Sequence, residues 1–251
     1  METLFIGRNL IFLPEINSTN SYATDLLKNV NLPEGTVIHT AHQTQGKGQR
    51  GSVWKAEPAS NLIASLILKP SFLEIKKQFV LYQIFALASY DTLAEILNTS
   101  QFDIKIKWPN DILVDGKKIC GILIENNVQN NRFNWSVAGV GMNINQLQFE
   151  KGIHATSAKL LTGQVFDVKR SLELLCKHVE KYYLLLKNGH FSLIQKDYLQ
   201  RLYGLNTWLN FERSGIVEPL LVEGISETGL LSLQSKDGHR WNVDVKEVKW
   251  L

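Results

Sequence analysis

A lysine, an amide and a carboxylate lie close together in Lys107–Glu125, KWPNDILVDGKKICGILIE. Pro109 has no N–H to donate and pushes Trp108 into the extended region, so a strand should end at Trp108 and the chain turn sharply. Asn110 and Asp111 are then short polar groups held at a rigid corner. Two apolar, alternating segments flank Asp115-Gly116, a pair that suits a type I′ hairpin turn because both central residues must tolerate positive φ. Lys118 lies on the returning strand. Three residues on, Gly121 has no side chain to keep a ligand from the backbone. Such a group can hold an anion and move a proton in one place. A solvated hairpin with a charged turn would read the same way, so the hairpin alone does not decide.

The second informative stretch is Gly46-Lys47-Gly48-Gln49-Arg50-Gly51. Its glycines let backbone N–H groups turn toward an anion, and Lys47 and Arg50 add charge. The Walker A spacing is absent, and a plain surface loop has the same composition. Gly139-Val140-Gly141 lacks the third glycine and the following helix of a dinucleotide fingerprint. His39 and His42 fall on opposite faces of a strand with no third ligand in view, which argues against a metal site. Cys120, between Ile119 and Gly121 in an apolar strand, reads as a packed thiol rather than a nucleophile. Trp54 and Trp108 each adjoin a polar motif and could wall an apolar pocket.

These groups need a frame, and the chain is long enough to build one. Its 251 residues, 44% hydrophobic and 20% charged, are ordinary for a soluble globular enzyme of one large domain, or one large and one small. A net charge of +3 does not demand a nucleic-acid partner. Two cysteines without a CxxC, no run of 18 apolar residues and no cleavable leader pattern point to a cytoplasmic protein without a membrane span. The patterning predicts strands over Asn9–Pro14, Thr36–Gln43, Asn61–Leu68 and Phe133–Asn143. Ser18 or Thr19 should cap a first helix. Further helices are expected over Glu74–Asn98, from Thr156, over Val168–Lys187 and over Phe191–Tyr203. From about Gly204, five short segments with glycine turns suggest a small β-barrel, dividing the chain into domains 1–203 and 204–251.

Taken in order, the motifs form a pattern. Ser18-Thr19-Asn20, Gln43 before the glycine loop, Trp54, KWPND, Lys118 with Gly121, and GVGMN at Gly139–Asn143 together resemble the biotin–protein ligases. KWPND followed by Lys118 is the specific part. The resemblance implies an α+β architecture: a mixed β-sheet catalytic domain packed with helices, of the class II synthetase-like biotin–lipoate ligase type, plus a C-terminal SH3-like barrel. Family members that are also repressors carry an N-terminal helix-turn-helix. This chain reaches the catalytic pattern within its first twenty residues and so resembles the monofunctional type.

The implied activity joins biotin to ATP, releases pyrophosphate, and passes biotin from the adenylate to a lysine of a biotin carboxyl carrier domain. Position by position, the resemblance assigns Ser18, Thr19, Gln43 and Lys118 to biotin. Lys47, Gln49 and Arg50 would lie on the loop closing over the adenylate, and Asn110 and Asn143 would face the nucleotide. Gly121 and Gly139 would line the pocket, and Asp111 would help the acceptor lysine. Asn20, Gly46, Gly48 and Trp54 complete the implied ligand-binding set, with Lys118, Asp111 and Arg50 as the catalytic one. Mg²⁺ is implied through the ATP phosphates, with no metal-binding residues of its own. No nucleic-acid or membrane partner is implied. The resemblance is compatible with a homodimer.

The chemistry itself asks for these residue types. A carboxylate must attack a phosphate, and two anions ~4 Å apart at an effective dielectric of ~20 repel by about 4 kcal/mol, which a bridging lysine offsets. The acceptor amine, with a pKa of ~10.4, is neutral in only about one molecule in a few thousand at pH 7, so a carboxylate must take its proton. One departure stands out: Gln49 occupies a position where the family usually has arginine. Two other readings compete, a lipoate or octanoate ligase or transferase of related fold and a non-catalytic nucleic-acid-binding module. KWPND argues against the first, and pyrophosphate release with ATP and biotin would exclude the second.

Overall fold

The computed structural model describes residues 2–97, 101–245 and 247–251, apart from the side chain of Arg50. A seven-stranded mixed sheet forms its centre, in the order β1-β2-β3-β7-β6-β5-β4. β1 (Leu10–Ile16) runs parallel to β2 (Val37–Gln43), and α1 (Thr19–Asn29) is the crossover between them. All other neighbours in the sheet are antiparallel. β3 (Leu62–Leu68) is buried along its whole length and pairs with β7 (Arg132–Met142). β4 (Ile104–Lys107), β5 (Asp111–Val114) and β6 (Lys117–Gln129) form the expected hairpins. Asp115 and Gly116 both take positive φ, 48° and 77°, as a type I′ turn requires. The Trp108-Pro109 bond is cis, and β4 stops one residue earlier than expected.

Helices cover both faces. On one, α1 packs through Ala23 against Ile38, Ile67 and Val137. Ser18 is its N-cap, accepting from the Ser21 N–H. On the other lie α2 (Phe79–Leu97), α4 (Val168–Lys187) and α5 (Phe191–Gln200). α2 starts later than the pattern predicts. Glu74 pairs with Lys76 and Lys77, and a short 3₁₀ turn over Ile75–Lys77 precedes the helix. Asn98, the expected end, lies outside the described residues. The window Ile75–Leu97 is long and apolar enough to cross a membrane, yet 67% of it is buried inside the fold, as a core helix is. α4 matches its expected range; Asp167 caps it by accepting the Lys169 N–H at 2.8 Å. α3 (Ala158–Thr162) is a short turn capped by Ser157, and α5 ends before Tyr203.

The C-terminal strands β8 (Trp208–Arg213), β9 (Ile216–Ile225), β10 (Leu231–Gln234), β11 (Arg240–Val243) and β12 (Lys249–Trp250) form a second, antiparallel sheet. Their order is β11-β10-β9-β8-β12, so β12 folds back to β8. This sheet docks closely on the larger one. The buried Trp108 donates its Nε1–H to the Gly229 carbonyl, in the β9–β10 connection, at 2.8 Å. Gly229, at φ 93°, lies so close to Phe79 that a side chain there would collide with the ring.

Candidate active site

A cleft of about 290 Å³ opens over the middle strands, β3, β7 and β6, on the face that carries α1. The start of α1 contributes Ser18, Thr19 and Asn20. The end of β2 contributes Gln43, and the glycine loop contributes Lys47, Gly48, Gln49 and Trp54. Asn110, Asp111, Lys118 and Gly121 enter from the hairpin, and Gly139 from β7. Residues expected from five separate stretches of sequence thus share one site.

Each is held for a physical reason. The Gln43 carboxamide oxygen accepts the Thr19 N–H at 2.8 Å and lies 3.0 Å from the Thr19 hydroxyl, tying β2 to the helix start. Asn20 donates to the Glu125 carboxylate at 2.8 Å and to the Leu123 carbonyl at 3.3 Å. The glycine loop folds back on itself: the Gly48 N–H donates to the Ser52 carbonyl at 2.7 Å, and the Trp54 N–H to the Gly46 carbonyl at 3.0 Å. A 3₁₀ turn over Gln49–Gly51 forms its tip. Arg50 is at the middle of that turn, and its side chain lies outside the described residues.

Trp54 takes the space that two glycines leave. Gly121 and Gly141 face each other across β6 and β7, and the indole lies over both. A Cβ on Gly121 would approach the Trp54 ring to 3.1 Å, and one on Gly141 would strike the ring itself. The missing side chain at Gly121 therefore accommodates an indole wall, where the sequence suggested direct approach by a ligand.

At the other end of the cleft, Asn110 donates to the Ile122 carbonyl at 2.7 Å, fixing the corner against β6. Lys118 Nζ lies 2.7 Å from Asp111 Oδ1 and 5.7 Å from the centre of the Trp54 ring. Lys117 points outward and is exposed. Lys107, the first residue of KWPND, has its pKa lowered by burial and also by the nearby charge of Lys118, with Asp111 opposing. Cys120 is fully buried, and burial pushes its thiol up to about 12. The His39 ring lies tilted against Phe12, centroids 4.8 Å apart, while His42 pairs with Glu15 at 2.9 Å. Among the described residues no group of three or more His, Cys, Asp or Glu could hold a metal ion.

Two expected residues stand back from the cleft lining. Gly46 lies against the Trp54 carbonyl, where any side chain would collide. Asn143 is buried and donates to the Thr156 carbonyl at 3.0 Å, joining the end of β7 to the segment before α3.

Residues 12–143, which hold nearly all of these groups, match the model of the biotin/lipoate A/B protein ligase family. The chain belongs to that family. The bifunctional ligase/repressor BirA of Bacillus spizizenii is 30% identical over 244 residues, covering 95% of this chain and 73% of BirA. The biotin–[acetyl-CoA-carboxylase] ligase of Paracoccus denitrificans is 28% identical, covering 91% of this chain and 95% of that enzyme. The biotin protein ligase of Aquifex aeolicus, solved with biotin and ATP, superposes with a TM-score of 0.78 at 26% identity, covering 96% of this chain and 98% of that one.

The family motifs do not reveal every residue of the site. Ile63, Ala64, Leu123 and Val140 form apolar lining, and Val245 reaches in from the turn that follows β11. Ser65 Oγ, behind the lining, lies 2.7 Å from Thr19 Oγ1 and 2.6 Å from Asn20 Oδ1. In the sequence these are ordinary strand residues; only sheet register brings them to the site. Gly141 alone carried a local signal, as the second glycine of Gly139-Val140-Gly141.

Proposed function

We propose that this protein is a biotin–protein ligase that activates biotin with ATP as biotinyl-5′-AMP and transfers it to a lysine of a biotin carboxyl carrier protein. The observation that carries the reading is the convergence of Lys118, Asp111, Gln43 and Thr19 on one cleft floored by Gly139 and walled by Trp54.

The apolar strands and Trp54 suit a ring and aliphatic arm, and the polar end formed by Ser18, Thr19 and Gln43 suits a ureido head. Lys118 is placed to hold the biotin carboxylate and the α-phosphate together, offsetting the repulsion of two anions. Asp111, within hydrogen-bonding distance of Lys118, is placed to accept the proton of the acceptor amine as it attacks the mixed anhydride and AMP leaves. The glycine loop supplies Lys47, Gln49 and backbone N–H groups on the phosphate side. Nearby carboxylates are already engaged, Asp111 by Lys118 and Glu125 by Asn20, so Mg²⁺ would be carried mainly by the triphosphate oxygens. The chain then works as two units, residues 1–203 for the chemistry and 204–251 as a docked β domain whose Val245 completes the cleft.

A transferase using a cysteine nucleophile is disfavoured, because Cys120 is buried and its thiol is held protonated. Two buried, unpaired thiols also suit a reducing cytoplasm. The deciding experiment is exchange of labelled pyrophosphate into ATP. Exchange that depends on biotin and is not supported by lipoate or octanoate is expected; exchange without biotin, or with lipoate in its place, overturns the reading.

A further inference from the structure

On the face of the sheet away from the cleft, a second cavity of about 190 Å³ lies between β1, β2, β3 and the start of α4. His39 comes two residues after the buried Val37, so both point to the side where Val37, Leu62 and Leu66 pack beneath the helices. Phe12 is the register partner of His39 on β1 and shares that side. The intervening Ile38 faces the other way, toward Ala23 of α1. α4 packs on β3, and Phe12 on the outer strand remains 54% exposed.

Phe12, Leu62, Val168 and Leu172 give the cavity an apolar wall, and two polar side chains stand in that wall unengaged. The half-buried His39 touches Phe12 through its ring, but neither of its nitrogens has a hydrogen-bond partner among the described residues. Burial lowers its pKa, so at neutral pH the imidazole is uncharged and has one N–H to donate. Lys169, on the first turn of α4, is exposed and forms no ion pair among the described residues. The other polar side chains of the lining are already used. The Thr40 hydroxyl donates to the His42 carbonyl at 2.9 Å, and the Asn61 carboxamide is held by Gln146 and by the Ile144 N–H. Asp167, next to the cavity, is taken up in capping α4. The lining itself contains no acidic residue.

A free cation and a free N–H beside an apolar hollow without carboxylates call for an anion with an apolar body. An apolar cavity of ~150 Å³ engineered into another protein admits benzene, so a space of this size takes one ring or a short chain. We propose that this cavity is a second ligand site, which binds a small monocarboxylate carrying one aromatic ring or a short alkyl chain. The apolar body lies against Phe12, Leu62 and Leu172. The carboxylate accepts the His39 N–H and pairs with the Lys169 ammonium, so an amine of the same shape is rejected. The site lies across the sheet from the cleft and stands independently of the reaction proposed there.

The test titrates phenylacetate and phenethylamine into the full chain and follows backbone amide shifts by NMR. Phenylacetate should bind saturably with a Kd on the order of 1 mM, as befits a fragment-sized ligand, and more tightly than the amine. The shifts should centre on residues 39–41, 61–63 and 168–172. Lys169→Glu, at an exposed position, should weaken phenylacetate about three- to five-fold, the range of an exposed ion pair, and bring the amine level with it or ahead. His39→Phe keeps the ring and removes the donor, and should weaken phenylacetate roughly three-fold or more without helping the amine. Val168→Trp, which fills the hollow, should abolish binding of both. Lys169→Glu keeps the test decisive if Val168→Trp folds poorly. Absence of saturable binding, an acid-to-amine preference that Lys169→Glu leaves unchanged, or shifts centred on Thr19, Gln43 and Lys118 would each overturn the proposal.

Discussion

Lys118 Nζ and Asp111 Oδ1 lie 2.7 Å apart, joining the returning strand to the corner that precedes it. Under the proposed function the lysine would serve adenylation and the carboxylate transfer, and the ion pair ties the two together. Lys118→Ala should lower biotin-dependent pyrophosphate exchange by ~10²–10³, the usual effect of removing a preorganised charge contact. Lys117→Ala, at an exposed neighbour, should leave it within two-fold. Asp111→Asn should reduce transfer to the carrier domain more than it reduces exchange. Exchange in Lys118→Ala within a few-fold of wild type would falsify the assignment.

The second sheet should contribute to both stability and function. Trp108 is buried beside the Asn110–Asp111 corner and donates to Gly229, so Trp108→Phe leaves a buried carbonyl unpaired. The expected cost is about 1–3 kcal/mol, which in a protein of this size lowers Tm by roughly 2–12 °C in a thermal melt. Deleting 204–251 should go further, uncovering Trp108 and removing Val245 from the cleft. Unchanged rates of both half-reactions in the truncated protein would show that the sheet is passive.

Cys120 and Cys176 should be silent. Burial raises both thiols to about 12, so each is protonated throughout the neutral range and its thiolate is rare even at pH 8. Treatment of the native protein with iodoacetamide at pH 8 should leave both cysteines unmodified by mass spectrometry and the exchange rate unaltered. Stoichiometric alkylation with loss of activity would mean that Cys120 is reactive and reopen the cysteine-transferase reading.

What could be read from the sequence follows from how local each signal is. The hairpin at Asp115-Gly116 and the helix Val168–Lys187 are encoded by their own residues, turn chemistry in one and apolar period plus the Asp167 cap in the other. The late start of α2 is local too, but it is set by Glu74 drawing both lysines into a tight turn, which apolar periodicity does not report. Ser65 and Glu125 had no signal at all. Ser65 is one small residue within a uniformly apolar strand, and it becomes informative only once the β3–β7 register and α1 place it under Thr19 and Asn20. Trp54 was recognised as a pocket wall, but the pairing of Gly121 with Gly141 that receives it depends on the β6–β7 register.

Gln49 should make the protein release its adenylate faster than a variant with arginine there. The residue lines the cleft at the tip of the glycine loop, and its amide reaches the Tyr82 hydroxyl, a group whose pKa burial raises. A neutral donor to phosphate is roughly half as strong as a charged one, and the difference, on the order of 1–2 kcal/mol, corresponds to a ten-fold or larger change, mostly in dissociation rate. Lys47 lies on the same loop and lines the same cleft, so it is the neighbour able to supply the charge instead. Gln49→Arg separates the two. Dissociation of biotinyl-adenylate, followed in the absence of carrier protein, should slow by about ten-fold in the variant. An unchanged rate would mean that Lys47 already neutralises the phosphate, and Lys47→Ala in the Gln49→Arg background should then accelerate release.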